Sequence, residues 1–490
     1  MTLASRPALA SPAAENDTSL PPPVLEHPLA LTLLEEIGAL GVQGAWYWTH
    51  SKEWSDGGKH ATLDHFLSNF VSPDDIVLDA DHFNTNAVGH PLAGAVAYQI
   101  ARGNGLGVRT SLIASVLSSI AWKFFGEWDQ RPSTNDIIMS PAAGWVIGEA
   151  TYRIGRVFAE GKPGIFNCLG STVLSPFATL NGSTVCGFRQ GDRSPYLTPP
   201  PTWHRFAAEI GTANEVFEGG ETRNESVLGL GGILRANALY RRPGAGVASA
   251  GPGQWSSARA RWLIGDGALR GSSFDADTLV TGRYFRRYGD TYGPSGEPDG
   301  WGVLAGISST FDYEARQLPT TFDRTAAAGI LGPSFELSAR RGPFALRTWL
   351  CVTYGFAQVT SLAYAQAAPV LAGVRVKRVL QTEGYYYAHG PLSSAAIELE
   401  SGPLRLDFEG RAATFWSFDA DYDGQGRIDY NFSLRDTRVF ARAIASIDPM
   451  NGPLRLSLEL DDDLRTSHIP GTFVRENERR LVASVTLISR

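Results

Sequence analysis

The sequence has few cysteines, no excess of basic residues and little lysine relative to arginine. Three cysteines in 490 residues, Cys168, Cys186 and Cys351, are too few for a disulfide-rich scaffold, and their scattered positions do not form a zinc pattern. A disulfide between Cys168 and Cys186 stays possible. The formal charge of −7 and the pI near 5.8 argue against a nucleic-acid partner, which would require a basic stripe.

The sequence also lacks a long uncharged apolar run that could cross a membrane as a helix. The helix predicted from Arg109 to about Phe125 contains Lys123, and the next one, which runs to about Val157, contains Glu149 and Arg153. A charged group at a helix centre costs about 2.5–3.5 kcal/mol in a bilayer. We therefore expect these helices to be buried against protein.

The first 27 residues are rich in Ala, Ser and Pro and predict a disordered leader or the remnant of a signal peptide. Ala8-Leu9-Ala10 resembles the end of a secretory signal, although Arg6 and Pro7 interrupt the apolar region before it. Two interpretations stand side by side: the native start lies upstream with a full signal peptide, or the segment is a disordered cytosolic tail.

Residues 28–160 predict a helical domain, with helices at Leu29–Leu40 (ended by Gly41) and from Pro91 to about Arg102 before the two named above. In the last of these helices Ser140, Gly144 and Gly148 repeat every four residues, which favours close contact with another helix. Residues 161–202 predict a Gly/Pro-rich connector with a short extended piece at 171–174.

From residue 203 to 490 the hydrophobic period changes to two, which is typical of β-strands with one apolar face. Leu454, Leu456, Leu458 and Leu460, for example, alternate with Arg455, Ser457 and Glu459. Gly-Pro and Asp-Gly turn signals separate the segments and predict antiparallel hairpins. About twelve strands are too many for an ordinary open sheet, so we predict an α+β fold in which the helical unit packs on, or plugs, an antiparallel β-barrel.

Two kinds of barrel share this pattern. A soluble barrel turns its apolar face inward, whereas an outer-membrane barrel turns it toward lipid and keeps a polar interior. The polar positions here are often Arg, Asp and Glu, as expected for charges that pair inside a lumen. Tyr284, Phe285, Tyr385–Tyr387, Phe415 and Trp416 are candidates for the aromatic girdles of a membrane barrel. We expect the apolar faces to contact outer-membrane lipid; a secreted or periplasmic soluble barrel that binds a ligand is the alternative.

Residues from about 30 to 160 also resemble an uncharacterised bacterial family, a domain of unknown function in Gram-negative envelope proteins. The resemblance rests on Asn86-x-x-x-His90-Pro91-x-x-Gly94-x-x-x-Tyr98-x-x-Ala101-Arg102, Trp122-x-x-x-x-Glu127, Ser133-x-Asn135-Asp136 and Gly144-x-x-x-Gly148-Glu149. It implies an envelope location and a C-terminal β-barrel, and it implies no established reaction. Outer-membrane barrels usually end on an aromatic residue, and this sequence departs from that pattern by ending in Leu-Ile-Ser-Arg.

The candidate site is a polar cluster in this region. Its predicted members are Asn86, His90, Arg102, Glu127, Asn135, Asp136, Glu149 and Arg153. As a catalytic site, His90 would be a general base oriented by a carboxylate (Glu127, Asp136 or Glu149), with Ser118 or Ser119 as the nucleophile of a lipid hydrolase. As a structural site, Arg102 and Arg153 would pair with Glu127 and Glu149 between packed helices. No Gly-x-Ser-x-Gly elbow is present, so we favour the structural interpretation.

Metal sites are weakly indicated. The spacing of Asp79, Asp81, His82 and His90 matches no standard zinc site. Asp419, Asp421 and Asp423 followed by Gly424 reproduce the first half of a calcium loop, with Asp429 one residue short of the position of the usual Glu. The sequence therefore predicts a non-enzymatic outer-membrane barrel with the helices as plug or scaffold, no cofactor, and calcium as the one ion worth testing.

Overall fold

The computed structural model contains a helical region followed by a closed antiparallel barrel. It describes residues 28–54, 62, 78–79, 81–128, 131–159, 161, 163–182, 202–236, 244–292, 298–319, 321–371, 376, 378–418, 433–448 and 453–489. The helices are α1 Pro28–Trp54, α2 His90–Gly103, α3 Val108–Ala121, α4 Thr134–Ala159, α5 Ile165–Leu174, α6 Pro176–Gly182, α7 Leu362–Ala367 and α8 Arg378–Glu383. A π-helical turn, Thr85–Gly89, precedes α2, and another, Trp122–Gly126, follows α3.

Thirteen strands form the barrel wall. They are β1 Thr202–Phe217, β2 Thr222–Ala236, β3 Gly244–Ala250, β4 Trp255–Gly265, β5 Ala268–Tyr292, β6 Pro298–Gln317, β7 Phe322–Arg341, β8 Phe344–Thr360, β9 Tyr385–Ser401, β10 Leu404–Ser417, β11 Arg435–Ile447, β12 Leu454–Ile469 and β13 Thr472–Ser489. Neighbours along the chain pair, β1 pairs with β13, and β5 pairs with both β4 and β6, so the sheet closes.

The wall has twelve positions, as the alternation predicts, because β3 and β4 together occupy one of them. β4 pairs with residues 268–278 of β5, whereas β3 pairs with residues 282–288 of the same strand. The chain leaves the wall between them, at 251–254, in a turn where the amide of Gly253 donates to Leu279 O at 2.9 Å. One wall strand is therefore interrupted.

The apolar faces of the strands point outward, as expected. Leu406 and Leu456 are 45% and 47% exposed, whereas Arg405 and Arg455 beside them are buried in the interior. Because side chains alternate across a strand, this contrast fixes which face is the lumen. Phe432, which the same argument places outside, lies beyond the described residues.

The helices lie on the outer face of the wall. Asp275 and Asp277 line the lumen, while the intervening Ala276 packs against Val146 of α4, and the Thr278 hydroxyl donates to Val146 O at 3.4 Å. The sequence predicts that the helical unit packs on the barrel or plugs it. The structure shows the N-terminal helices packed on the outside of the barrel, so the plug is wrong. The physical reason is that the lumen is lined with charged side chains and offers these apolar helices no matching surface.

Helix α4 runs across the strands. Its wall neighbours are Leu234 of β2, Ala258 of β4, Ala276 of β5, Phe311 of β6, Ala328 of β7 and Phe356 of β8. From β4 to β8 these residues are successive cross-strand partners, so they form a row at right angles to the strands. A 26-residue helix is ~39 Å long, which is enough to cross these six strands, whose five spacings of ~4.8 Å span ~24 Å. We call α1–α6, with the two π-helical turns, the helical layer.

Three other local predictions differ from the structure. Helix α1 continues through Gly41 to Trp54, because a glycine on an open helix surface costs only about 1 kcal/mol. The predicted extended piece at 171–174 is the end of α5, whose apolar residues belong to a helix. Tyr284, Tyr385, Tyr386, Tyr387 and Phe415 are buried and do not form girdles, whereas Phe285 and Trp416 are exposed.

Helices α7 and α8 fill the barrel end opposite the start of β1 and the end of β13. We call the end that holds those chain positions the terminal end, and the other the far end. Ala363 and Leu380 of these two helices are fully buried against inward residues such as Val359, Tyr386 and Phe415. The segment between β8 and β9, and not the N-terminal helices, therefore closes the lumen at the far end.

Candidate functional site

The predicted polar cluster is two clusters in the structure. Asp136 and Glu149 both lie on α4, but thirteen residues of helix separate them by ~20 Å. His90, Glu127 and Asp136 gather around the ammonium of Lys123 and, together with Asp79, Asn86, Ser133 and Asn135, form what we call the Lys123 cluster. Arg102 and Arg153 meet at Glu149 and, with Tyr98, form what we call the Glu149 cluster.

Lys123 has three carboxylates around one buried ammonium. Its Nζ contacts Glu127 Oε2 and Asp136 Oδ2 directly and lies 3.9 Å from Asp79 Oδ2. Burial alone would lower the pKa of Lys123, but Asp136, Glu127 and Asp79 together raise it well above its usual value. The ammonium therefore stays charged and offsets the carboxylates, which could not be buried without such a partner.

The π-helical turns deliver the key side chains of this cluster. Lys123 belongs to the turn after α3 and Asn86 to the turn before α2. Each turn widens the helix by one residue, and π-bulges of this kind are often found at functional sites. Asn135 completes the arrangement at the start of α4, where its Nδ2 donates to Asp79 Oδ2 at 3.1 Å.

The Lys123 cluster also ties the helical layer to the barrel wall. Asn86 Nδ2 donates to the hydroxyl of Tyr387 at 2.6 Å, and that hydroxyl donates to Asp79 Oδ1 at 2.8 Å. Tyr385 donates to the backbone carbonyl of Asp81 at 2.7 Å. Tyr385 and Tyr387 are outward residues of β9, as the girdle prediction requires, but helices rather than lipid cover them.

His90 is neutral at pH 7. Burial, followed by the neighbouring Lys123 charge, lowers the pKa of His90 from 6.5 to about 4. Its Nε2 lies 3.3 Å from Asp136 Oδ1, without the angle of a hydrogen bond. A neutral imidazole beside a carboxylate could in principle accept a proton, so the position of a nucleophile decides whether this is a catalytic group.

Neither candidate serine is placed to react with His90. The Ser119 hydroxyl donates to the carbonyl of Asp136 at 3.1 Å, and Ser118 hydrogen-bonds the carboxyl of Glu36. Both serine hydroxyls hydrogen-bond to other helices, and His90 itself is buried. The geometry gives no support to the lipid-hydrolase interpretation.

In the Glu149 cluster, three side chains donate hydrogen bonds to one fully buried carboxylate. Glu149 accepts hydrogen bonds from Tyr98 at 2.8 Å, from Arg102 Nε at 2.9 Å and from Arg153 Nε at 2.8 Å. Burial opposes its ionisation, but the two arginines lower the pKa of Glu149 below its usual value. The predicted pairing of both arginines with glutamate is correct for Glu149, whereas Glu127 pairs with Lys123 instead.

Small residues let α2 and α4 approach backbone to backbone, as the Ser140-Gly144-Gly148 spacing predicts. A Cβ added at Gly144 would lie 2.4 Å from the carbonyl carbon of Gly94, and one added at Gly94 would lie 1.9 Å from Ser140 O. A Cβ at Gly148 would collide with the Tyr98 ring. This contact brings His90 on α2 within reach of Asp136 on α4.

No metal site is assembled in the part of the chain that the structure describes: no group of three or more His, Cys, Asp or Glu side chains there could hold an ion. Lys123 occupies the position that a cation would take beside Asp79. Asp419, Asp421, Asp423 and Asp429 lie outside the described residues, so calcium binding stays a prediction. A calcium titration against a chelator, followed by melting temperature, tests it.

The barrel lumen is a second polar region, and it is filled by ion pairs. Arg205 donates to Glu398 at 2.7 Å across the lumen, and Arg480 donates to Glu215 at 2.9 Å. Arg259 bridges Asp275 and Glu409 in the same way. These are the alternating Arg, Asp and Glu positions of the sequence, so the expectation of paired lumen charges is confirmed among the described residues.

A cavity of about 350 Å³ remains between these pairs and an aromatic floor at the terminal end. The floor is formed by Trp255 and Trp349, whose rings stack at 3.8 Å across the lumen. The cross-lumen ion pair Arg235–Glu336, at 3.0 Å, lies beside them. The Trp pair therefore crosses the lumen near its terminal end, and α7 and α8 occupy its far end.

Sequence reasoning missed Lys123, Asp79, Tyr385 and Tyr387 as members of the site. One signal in the sequence could have identified them. Lysine is rare in this chain, and a lysine inside an apolar helical stretch requires carboxylates buried beside it. Cys168 forms a disulfide and Cys351 is a buried free thiol, while Cys186, the predicted partner of Cys168, lies outside the described residues.

Comparisons with known proteins give one family match. Residues 75–177 match a family described as "Domain of unknown function (DUF3943)". This agrees with the predicted resemblance to a domain of unknown function, although the matched stretch begins and ends later than 30–160. The individual motif residues stay a prediction. No curated protein matches the chain.

Among solved structures, the chain is similar to several barrels at low identity. The NanC porin shares 9% identity over 57% of this chain and 98% of its own, with a TM-score of 0.24. The translocator domain of the autotransporter NalP from Neisseria meningitidis shares 9% over 58% and 88%, with a TM-score of 0.21. The P. putida toluene transporter TodX shares 10% over 68% and 99%, with a TM-score of 0.21.

Proposed function

We propose that this chain is a non-enzymatic outer-membrane barrel whose helical layer is a scaffold on the outside of the wall. One observation carries the proposal: the outer face of the wall is apolar and exposed, whereas the inner face is charged and paired. The outward Leu454, Leu456, Leu458 and Leu460 of β12 are all exposed, and the inward Arg455, Glu459 and Asp461 are buried. A soluble barrel would have the opposite arrangement.

The height of the apolar face fits a membrane. On β12 it begins at Leu454 and ends where Asp462 pairs with Arg479 of β13 on the exposed outer surface. Eight residues span ~26 Å along a strand, or ~20 Å along the axis at a tilt of ~40°, close to the ~25 Å apolar band of outer-membrane barrels.

The lengths of the connections suggest an orientation. The two longest connections, of 24 and 17 residues, follow β8 and β10, which end at the far end, whereas the connections between strands at the terminal end have at most seven residues. Outer-membrane barrels have short periplasmic turns and longer extracellular loops, so the terminal end would face the periplasm. A disulfide at Cys168 is consistent with an oxidising compartment.

The scaffold role rests on the obstructed lumen and on the anchored helices. The Trp255–Trp349 stack obstructs one end and α7–α8 the other, which disfavours an open pore. The Lys123 and Glu149 clusters fix the helical layer to the wall through the hydrogen bonds of Asn86 with Tyr387 and of Arg153 with Pro252 O. No helix in the described part of the chain is long and apolar enough to cross a bilayer.

Fractionation tests the location. We expect the protein in washed outer membranes, resistant to carbonate and released only by detergent. Leu458→Arg, at the middle of the apolar face of β12, should impair assembly, since an arginine near the bilayer midplane costs about 2–4 kcal/mol. Ser457→Arg on the lumen face controls for a new charge that does not contact lipid. Recovery of the wild-type protein as a detergent-free soluble particle would support the soluble alternative and overturn the proposal.

A further inference from the structure

The helical layer has an unusual outer surface. Its exposed large apolar side chains include Leu29, Leu33, Leu34, Ile37, Val42, Trp46, Leu92, Val96, Ile113, Leu117, Phe125, Ile165, Phe166, Leu169, Val173 and Leu180. They come from every helix of the layer except α4, which lies against the wall. A soluble domain rarely exposes apolar patches of this extent.

This surface is also nearly free of charge. Among the described side chains of α1, α2, α3, α5 and α6, Arg109 is the only charged one that is exposed. It stands at the start of α3, where a long side chain can reach a polar interface. The other charged side chains that the structure describes on these helices, Glu35, Glu36 and Arg102, are half-buried or buried, and α5 and α6 contain none.

The layer covers the same height as the apolar band of the wall. Helix α4 runs at right angles to the strands for ~39 Å, so with strands tilted by ~40° it rises by ~25 Å along the barrel axis. That rise is comparable to the ~20 Å apolar face of β12 and to the ~25 Å apolar band of outer-membrane barrels. Where α4 covers the wall, the outward Ala276 and Ala328 are fully buried, and beyond the layer the outward residues are apolar and exposed.

We propose that the outer face of the helical layer is embedded in the hydrocarbon of the bilayer, so that the barrel has a lateral belt of helices that contact acyl chains. The occupant of this face is lipid, because the face is continuous with the lipid-facing wall and has the same height and the same lack of charge. In such a position every polar group must find a partner within the protein. In the Lys123 and Glu149 clusters, buried between helices and wall, the charged groups of the layer are paired in this way.

This inference rests on the proposed membrane location, and the experiment separates the two. Single cysteines are placed at Leu33 on α1, at Leu456 on the lipid-facing wall and at Asp266 in the β4–β5 turn, whose side chain is 88% exposed. Each is labelled with an environment-sensitive fluorophore, with the wild-type protein as the labelling blank, and reconstituted into phosphatidylcholine vesicles. Quenching is measured with doxyl-labelled acyl chains and with aqueous iodide.

We expect the labels at positions 33 and 456 to be quenched at least several-fold more by doxyl lipid than by iodide, and the label at 266 to show the reverse. Quenching of the label at 456 but not at 33 would overturn the helical belt and leave the membrane barrel intact. A label at 33 that neither quencher reaches would point to a protein partner on this face and equally contradict the inference. If no position is quenched by lipid, the membrane location itself is wrong.

A second site guards against a purely local effect of the label. Val173, on α5, is exposed on the same face and should give the same result as Leu33. Neither residue takes part in the Lys123 or Glu149 cluster, so both variants are expected to fold. Different quenching at these two positions would show that α1 and α5 do not share one lipid-facing surface and would overturn the proposal.

Discussion

Replacement of Gly144 by alanine tests whether the helical layer depends on one backbone contact. The added Cβ would stand 2.4 Å from the carbonyl carbon of Gly94 and 2.7 Å from its Cα. Ordinary contact begins near 3.4 Å, so α2 and α4 must move apart by about 1 Å. Overpacking of this kind costs about 1–3 kcal/mol, and we expect the upper half of that range because backbone, rather than a flexible side chain, obstructs the new atom.

The same movement should weaken the Lys123 cluster. Gly94 and His90 lie one turn apart on α2, and Gly144 lies two turns from Asp136 on α4, so separation of the helices at the crossing lengthens the 3.3 Å contact between His90 and Asp136. We therefore expect Gly144→Ala to destabilise the protein through two effects, overpacking at the crossing and loss of polar contacts beside it.

The assay is guanidinium unfolding of the purified protein in detergent, followed by circular dichroism at 222 nm. Gly41→Ala in α1 is the matched control, because a Cβ there meets nothing within 4 Å. On helix propensity alone it should stabilise α1 by up to about 1 kcal/mol. If Gly144→Ala unfolds within about 0.5 kcal/mol of Gly41→Ala, the close packing of α2 and α4 is refuted.

Three further substitutions test the Lys123 cluster by the same unfolding measurement. Lys123→Met should cost about 3–5 kcal/mol, because it leaves buried carboxylates without their counter-charge, and an unchanged midpoint would contradict that role. His90 has a folded pKa of about 4 against 6.5 unfolded, so only the unfolded chain gains a proton between those values. The free energy of unfolding should therefore fall by about 3 kcal/mol as the pH drops from 6.5 to 4, and His90→Asn should abolish that slope; a variant with the wild-type slope would refute the assignment. Tyr387→Phe removes the hydroxyl shared by Asn86 and Asp79 and should cost about 1–3 kcal/mol. Its control is Tyr354→Phe, which loses one exposed hydrogen bond to His389 and should cost less; equal effects would contradict the anchoring role.

The barrel could be predicted from the sequence because one periodicity determines it. The alternation of Leu454, Leu456 and Leu458 with Arg455 and Glu459 gives strand, apolar face and charged face at once, and the structure has all three. The strand count follows from the spacing of the turns. The interruption between β3 and β4 could not be predicted, since Gly251-Pro252-Gly253 resembles any other hairpin turn.

The charge pattern of the strands predicts on which side of the wall the helices lie. An apolar helix stripe fits the inside or the outside of a barrel equally well, so the helices alone do not decide. The decisive signal is in the strands. In the stretch of wall beneath α4 the inward residues include Arg259 and Asp275, whereas the outward Ala276 and Phe311 are apolar. The charge pattern of the strands therefore determines where the helices lie.

The candidate site was predicted in part. His90, Glu127 and Asp136 do meet, whereas Glu149 lies several helical turns away, because a shared helix does not imply a shared site. Within its own helix, Lys123 indicates only that the helix is too polar to cross a membrane. Its pairing depends on a contact between different helices, which no spacing within one helix can reveal.

The interruption at 251–254 makes the barrel wall depend on the helical layer. At this point the wall has no strand to complete it, and Arg153 of the helical layer donates to Pro252 O at 2.9 Å instead. Gly253 has φ at +72° and no Cβ, and the side chain of Glu149 occupies the space beside it. A Cβ at residue 253 would lie 2.3 Å from Glu149 Oε1. A polypeptide that began at β1 would lack both side chains, so the early helices complete a wall that the later strands leave interrupted at this position.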